Sequence, residues 1–211
     1  MDHPNITFIP GHPNDAEVAA TLIYESSHEL LGFMFQGRET AIRVLTKLYK
    51  KKHGHFSHVF SRLAIIDGQV VGLELGYGQD QLVKQEWIGG VLMLLHTPLS
   101  LWWHLLVKVG SVVDNYVPKP TPGSYYLNNL AVATEKRSAG IGRILLEESM
   151  RHAKASGYRS FEGDVTKVNT RAIKFYEEQG LTQLSESCHQ EAYEKLGLPP
   201  LIRMMHKFYD E

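Results

Sequence analysis

Apolar and polar positions alternate over Ile6 to Ile9, which predicts a short strand, and Asn14 and Asp15 then offer N-cap chemistry for a helix running to about Ser27. Ala19, Leu22, Ile23, Ser26 and Leu30 recur at the spacing of one buried helical face. A second helix is predicted from about Glu39 to Lys50, with Ala41, Val44, Leu45 and Leu48 on one side and Arg43, Lys47 and Lys50 on the other. Two apolar runs, Leu63 to Ile66 and Val70 to Leu75, are joined by Asp67-Gly68, a pair suited to the positive φ angles of a tight hairpin turn.

The pattern is less regular from about Asp80 to Val113, where Trp87, Trp102 and Trp103 stand among many Leu, Val and Met residues. Pro98 divides the apolar stretch Val91 to Val109, and His96, His104 and Lys108 interrupt it. The unbroken run of roughly 20 apolar residues that a membrane span needs is therefore missing. Two short helices packed on the domain are expected instead. Their candidate roles are covering an acceptor pocket, forming a homodimer surface, lying on a membrane surface, or ordinary core packing.

Pro118, Pro120, Pro122 and Gly123 mark an extended linker into a strand at Ser124 to Val132. The pattern then predicts a helix from about Gly140 to Ala155, a strand from Ser160 to Val165 and a helix from Thr170 to Gln179. Two further strands, near Leu181 to Ser187 and Leu201 to Phe208, complete an α/β sheet in a single domain over residues 1–211.

Composition narrows the partners. The chain has 211 residues, 43% hydrophobic and 21% charged, and a formal net charge of -1, so no overall basic field holds nucleic acid. An anionic ligand must be gripped locally. The single cysteine, Cys188, cannot form an intramolecular disulfide, and Met1-Asp2-His3-Pro4 lacks a secretory pattern; both suggest the cytoplasm. The run His53-Gly54-His55-Phe56-Ser57-His58 invites a metal reading, but no carboxylate or thiolate stands close in sequence, and no metal is expected.

Local anion binding has an evident place. Arg137-Ser138-Ala139-Gly140-Ile141-Gly142-Arg143 lies between a predicted strand and a predicted helix, where missing Cβ atoms let amides converge on an anion and the helix N-terminus adds attraction. Gly142, Leu145, Leu146, Ser149, Met150 and Ala153 form the buried stripe of that helix, and Arg143, Glu147 and Arg151 are spaced for i,i+4 ion pairs. Neither the dinucleotide pattern Gly-x-Gly-x-x-Gly nor a Walker loop is present. Farther on, Asn169, Ala172, Ile173 and Tyr176 share one helical face, which directs an amide and a phenol the same way. Asn169 as a plain N-cap and Tyr176 as a half-buried aromatic are the alternatives.

Arg-x-x-Gly-x-Gly at Arg137 to Gly142, preceded by Leu130-Ala131-Val132, resembles the CoA-binding motif of the GNAT superfamily of N-acetyltransferases. Asn169-Thr170-Arg171-Ala172-Ile173-Lys174-Phe175-Tyr176, closed by Gly180-Leu181, resembles that family's second block. The resemblance implies a mixed, mostly antiparallel central sheet flanked by helices, with a helical insertion at about 80–113 before the fourth strand and a CoA-binding core over about 125–181. It implies acetyl-CoA as co-substrate and direct attack by a primary amine, of a small molecule or a protein, in a ternary complex. Backbone amides of Arg137, Ser138, Ala139, Gly140, Ile141, Gly142 and Arg143 are expected on the pyrophosphate. Leu130, Ala131 and Val132 would pair with pantetheine and polarise the thioester, Asn169 would contact the pantetheine arm, and Tyr176 would protonate the leaving thiolate.

One position departs from the family pattern. Many relatives carry a Glu on the strand before the loop, whereas this chain has Asn128-Asn129, and neither asparagine is a base. Glu25, Glu74 and Asp164 are the substitute candidates, and Cys188 beside His189 is a weaker candidate for a covalent nucleophile. The same departure supports the alternative of a catalytically inactive CoA-binding sensor or assembly module. The acceptor is open: an apolar lid of Trp87, Trp102 and Trp103 would favour an amine with a hydrophobic body.

Overall fold

A computed structural model describes residues 6–110, 112, 116–137, 140–187 and 190–208. Seven strands form one sheet in the order β1-β2-β3-β4-β5-β7-β6, where β1 is Thr7–Pro10, β2 Ser61–Ile66, β3 Gln69–Gly78, β4 Ser124–Val132, β5 Ser160–Thr166, β6 Thr182–Ser187 and β7 Leu201–Lys207. Every pairing is antiparallel except β4 with β5. The mixed, mostly antiparallel sheet is the one expected. The turn between β2 and β3 forms as its residues dictate, with Asp67 at φ 51 and Gly68 at φ 75.

Helices cover both faces. On one side α1 (Ala16–Ser26), α2 (His28–Phe35) and α3 (Arg38–Tyr49) pack against Leu63, Leu73, Leu75 and Tyr77. On the other, α5 (Ile141–Ala155) lies over Ala64, Val71, Tyr125 and Phe161, because successive residues of β3 and β4 point to opposite faces. The expected faces are buried: Ala19, Leu22 and Ile23 on α1, and Ala41, Val44, Leu45 and Leu48 on α3. Among the described residues, α4 (Gln79–His96), α6 (Thr170–Glu178) and α7 (Gln190–Leu196) are further helices.

Three local expectations need correction. The first helix ends at Ser26, close to where expected, but the face read as continuing to Leu30 is interrupted, because α2 begins as a separate helix at His28 and Ser27, at φ -145, breaks the backbone between them. The first half of the insertion is not short: α4 has 18 residues, ending where Thr97 leaves the helical region before Pro98, and a π-helical segment follows at His104–Val109. On α5 the Arg143–Glu147 pair forms at 2.8 Å, but Arg151 turns to Glu148 rather than Glu147.

A buried polar cluster ties α5 to the sheet. Glu74 on β3 is 0% exposed; its Oε2 accepts from Arg62 Nε at 3.0 Å, while Oε1 accepts from the Tyr125 hydroxyl at 2.6 Å and from Ser149 at 3.0 Å. With every partner in place the desolvated carboxylate is tolerated; without Arg62 it would stand uncompensated, at a cost of about 3–5 kcal/mol.

Candidate active site

Strands β4 and β5 begin as a parallel pair and then separate. Their register runs from Ser124↔Ser160 to Leu127↔Gly163 and stops. Beyond it, Leu130, Ala131 and Val132 remain paired with Glu74, Leu73 and Gly72 of β3, so the other edge of this stretch has no strand beside it. A bulge starts the divergence: Leu75 faces Asn129 while Gly76 faces Leu127, which leaves Asn128 as an extra residue in β4.

A cavity of about 460 Å³ fills the gap. One wall is β4 from Tyr126 to Val132, the opposite wall is Asp164, Val165 and Thr166 of β5, and α6 contributes Asn169, Ala172 and Tyr176. The α1–α2 junction closes one side with Glu25, Ser26, Ser27, His28 and Glu29. An apolar end is formed by Leu31, Met34, Phe56 and Met93. The structure thus brings Leu130, Ala131, Val132, Arg137, Asn169 and Tyr176 to one space.

Tyr176 is half-buried, and burial first, then the nearby Asp164 charge, push its phenol up to about 12. It is therefore protonated at neutral pH, suited to give a proton rather than to attack. Asn169 serves as N-cap of α6, its Oδ1 accepting from Ala172 N at 3.1 Å, which leaves the amide Nδ2 for a ligand.

Gly140 has φ 77, and a Cβ placed there would meet nothing within 4 Å. It is the N-cap of α5 and has no side chain with which to cap, so the first amides of that helix take no cap bond from it. The Ile141 side chain is buried under β2 and β3, and only its backbone is free to serve a ligand. Gly142 sits against Val132 and Phe175, and Arg143 points outward onto Glu147. Arg137 folds back, Nε donating to Val132 O at 3.1 Å and one terminal nitrogen reaching Glu25 at 3.4 Å. A helix N-terminus beside a strand edge that β5 leaves unpaired has the donors that a pyrophosphate followed by an amide-bearing arm would need. Ser138 and Ala139 lie outside the described residues, as do Cys188 and His189.

The carboxylate candidates separate sharply. Glu74 is held in its buried cluster on the α5 face and does not line the cavity. Asp164 lines it, but Arg203 grips both of its oxygens, at 2.6 and 2.7 Å, and the Tyr126 hydroxyl donates to it at 2.9 Å. Arg203 also donates to Glu162 at 3.0 Å and to the carbonyl oxygens of Pro118 and Lys119, fixing the linker to β5 and β7. Glu25 lines the mouth and is approached by Arg137 and Thr134, each at 3.4 Å. Glu29 was not anticipated; it came into reach through the unpredicted start of α2. Asn129 also has a place the sequence did not reveal: its amide donates to Ser26 Oγ at 2.7 Å and accepts from Asn128 at 2.6 Å, tying the junction to β4.

The tryptophan lid does not form. Trp87 and Trp103 are 81% and 74% exposed, and α4 reaches the cavity through Met93 instead. The three histidines of the run 53–58 diverge: His53 is exposed, His55 packs on Tyr77, and His58 Nδ1 meets Tyr49 O at 2.9 Å. Among the described residues no three metal-ligating side chains gather.

Residues 23–181 match the acetyltransferase (GNAT) family. A solved acetyltransferase structure superposes with a TM-score of 0.67 at 17% identity, covering 96% of this chain and 100% of its own. An N-acetyltransferase from Staphylococcus aureus Mu50 gives 0.71 at 14% identity, covering 95% and 100%. A GNAT family acetyltransferase from Elizabethkingia anophelis with acetyl-CoA bound gives 0.53 at 15% identity, covering 97% and 99%. At these identities the likeness is one of fold. No curated protein matches the chain in sequence.

Proposed function

The chain belongs to the acetyltransferase (GNAT) family and is an acyltransferase with acetyl-CoA as co-substrate, and from that premise we propose that it acetylates a primary amine with an apolar body by direct attack in a ternary complex. The observation that carries this reading is the single cavity in which the unpaired edge of β4 and the Tyr176 face of α6 confront each other. Acetyl-CoA supplies an activated thioester when bound.

The amides of Gly140, Ile141, Gly142 and Arg143 would hold its pyrophosphate, and those of Arg137, Ser138 and Ala139 are the further candidates from the same motif. Leu130, Ala131 and Val132 would meet the pantetheine arm along the edge that β5 leaves unpaired, where Arg137 Nε already holds the Val132 carbonyl, and Asn169 would offer its amide Nδ2. Amide N–H groups of the same β4 edge polarise the carbonyl that is attacked. The phenol of Tyr176 gives its proton to the departing sulfur as the C–N bond forms and the C–S bond breaks.

The amine must lose its own proton. Of the two carboxylates on the α1–α2 junction, Glu29 is better supported as its acceptor, because Glu25 faces the permanent cation of Arg137 as well as Thr134, each at 3.4 Å, whereas Glu29 is approached at 3.4 Å by the His28 ring, a cation only when protonated. Glu29 also lies near Tyr116, whose pKa rises through burial and then through the Glu29 charge. Leu31, Met34, Phe56 and Met93 line the same cavity and favour an apolar body behind the nitrogen.

The test is calorimetric titration with acetyl-CoA, NAD serving as control, followed by thiol release against arylalkyl and aliphatic amines. Saturable binding with amine-dependent release supports the transferase. Binding without release across the amine panel would favour the sensor reading, and no binding to folded protein would overturn both.

A further inference from the structure

Nine of the fifteen large hydrophobic residues that stand exposed among the described residues lie between Val83 and Val107. On α4, Trp87, Val91 and Leu95 follow at four-residue spacing, forming one outward stripe, and Leu99, Trp103 and Leu106 extend it past Pro98. Leu99 is 74% exposed and Leu95 64%. The cavity does not use these side chains, and no described element covers them.

A basic segment is fixed beside the stripe. Lys47 to Lys52 contains four lysines and no acid. Gly54, two residues on, donates its amide to Gln85 Oε1 at 2.9 Å and packs on α4 so closely that an added Cβ would lie 3.4 Å from Gly89 Cα. At the other end of α4, partial burial and then the charges of Lys51 and Lys47 lower the His96 pKa. The acids nearby are few: Asp80 is paired with Lys84 at 3.4 Å, and Glu86 is the remaining one on α4.

We propose that the insertion between β3 and β4 is a membrane-docking face that lies on a bilayer surface carrying anionic headgroups. Exposed tryptophans beside an apolar stripe suit the boundary between headgroups and acyl chains, and flanking lysines add attraction to anionic lipid. The face lies on the bilayer and does not span it: no described helix is long and apolar enough to cross. A second copy of the same face offers the lysine flank no acidic run to meet, whereas anionic headgroups complement it. The inference is independent of the acetyl-transfer reading.

Flotation of the full chain with vesicles of phosphatidylcholine, with and without phosphatidylserine, tests it, and tryptophan emission is read in the same samples. Association with the anionic vesicles, a blue shift, and weakening by salt are expected. Trp87→Ser combined with Trp103→Ser should lower partitioning roughly tenfold or more. Lys51→Glu combined with Lys52→Glu should lower it by at least roughly fivefold per residue and remove much of the salt dependence. Both variants should keep wild-type affinity for acetyl-CoA, which certifies their fold. No association of folded wild type, or equal association of both variants, would overturn the proposal. So would self-association in solution that the tryptophan substitutions abolish while anionic vesicles remain unbound.

Discussion

Tyr176→Phe separates chemistry from structure in this protein. The phenol is half-buried, and among the described residues its hydroxyl has no hydrogen-bonding partner that its removal would strand. Stability and acetyl-CoA affinity should therefore change little, within about 0.5 kcal/mol. The rate should change greatly. With its pKa raised to about 12, Tyr176 stays protonated throughout the assay range, and its proton transfer to a thiolate whose conjugate acid has a pKa of about 8.5 is downhill. Loss of a positioned general acid costs roughly 10²- to 10⁴-fold, equivalent to about 2.7–5.4 kcal/mol of barrier. Single-turnover thiol release with a saturating amine reads this step directly. Because the raised pKa keeps the acid form dominant until about pH 12, wild type should show no basic limb from Tyr176 below about pH 10. An unchanged single-turnover rate, with binding intact, would remove Tyr176 from the mechanism.

Other substitutions probe separate parts. Gly140→Ala meets no neighbour and pays only for a left-handed backbone, about 1–2 kcal/mol, so acetyl-CoA binding should survive weakened; Gly140→Glu adds charge and bulk where the pyrophosphate is expected, and calorimetry should detect no binding. Arg203→Met strands Asp164 and Glu162 and should reduce unfolding free energy by about 3–5 kcal/mol in urea titrations; a loss below about 1 kcal/mol would show that water replaces the clamp. Glu29→Gln should lower the single-turnover rate of thiol release with acetyl-CoA affinity unchanged, while Glu25→Gln lowers that rate far less; the reverse result would exchange their roles. His55 has its pKa lowered by burial, with Glu86 and a backbone bond to Leu82 opposing, and its Nε2 is buried without a partner. The unfolded chain therefore binds this proton more readily, and stability present above about pH 6.5 should be lost as pH falls below it. His55→Phe should flatten that part of the stability curve, and an equally steep decline in the variant would assign it to other groups.

The sequence by itself determined the elements whose signals are local. Asp67-Gly68 could close only a hairpin with positive φ, and β2 and β3 follow from it. The glycines at Gly140 and Gly142 and the face shared by Asn169, Ala172 and Tyr176 were legible because helix and turn geometry repeat within a few residues. Even there two readings merged, since Asn169 caps α6 through one side-chain atom and keeps another for a ligand.

Only the tertiary structure decided which carboxylates face the cavity. Glu25, Glu74 and Asp164 looked equivalent as letters, but sheet pairing turned Glu74 toward α5, and β7 carried Arg203 across from 39 residues away to occupy Asp164. The β4–β5 gap was equally illegible, because strand separation depends on partners distant in sequence and on a bulge of one residue at Asn128. Apolar composition likewise marked Trp87 and Trp103 without saying which way they point. Helix orientation is set by what packs beneath it, and with Gly54 seated against Gly89 the tryptophans are left facing outward.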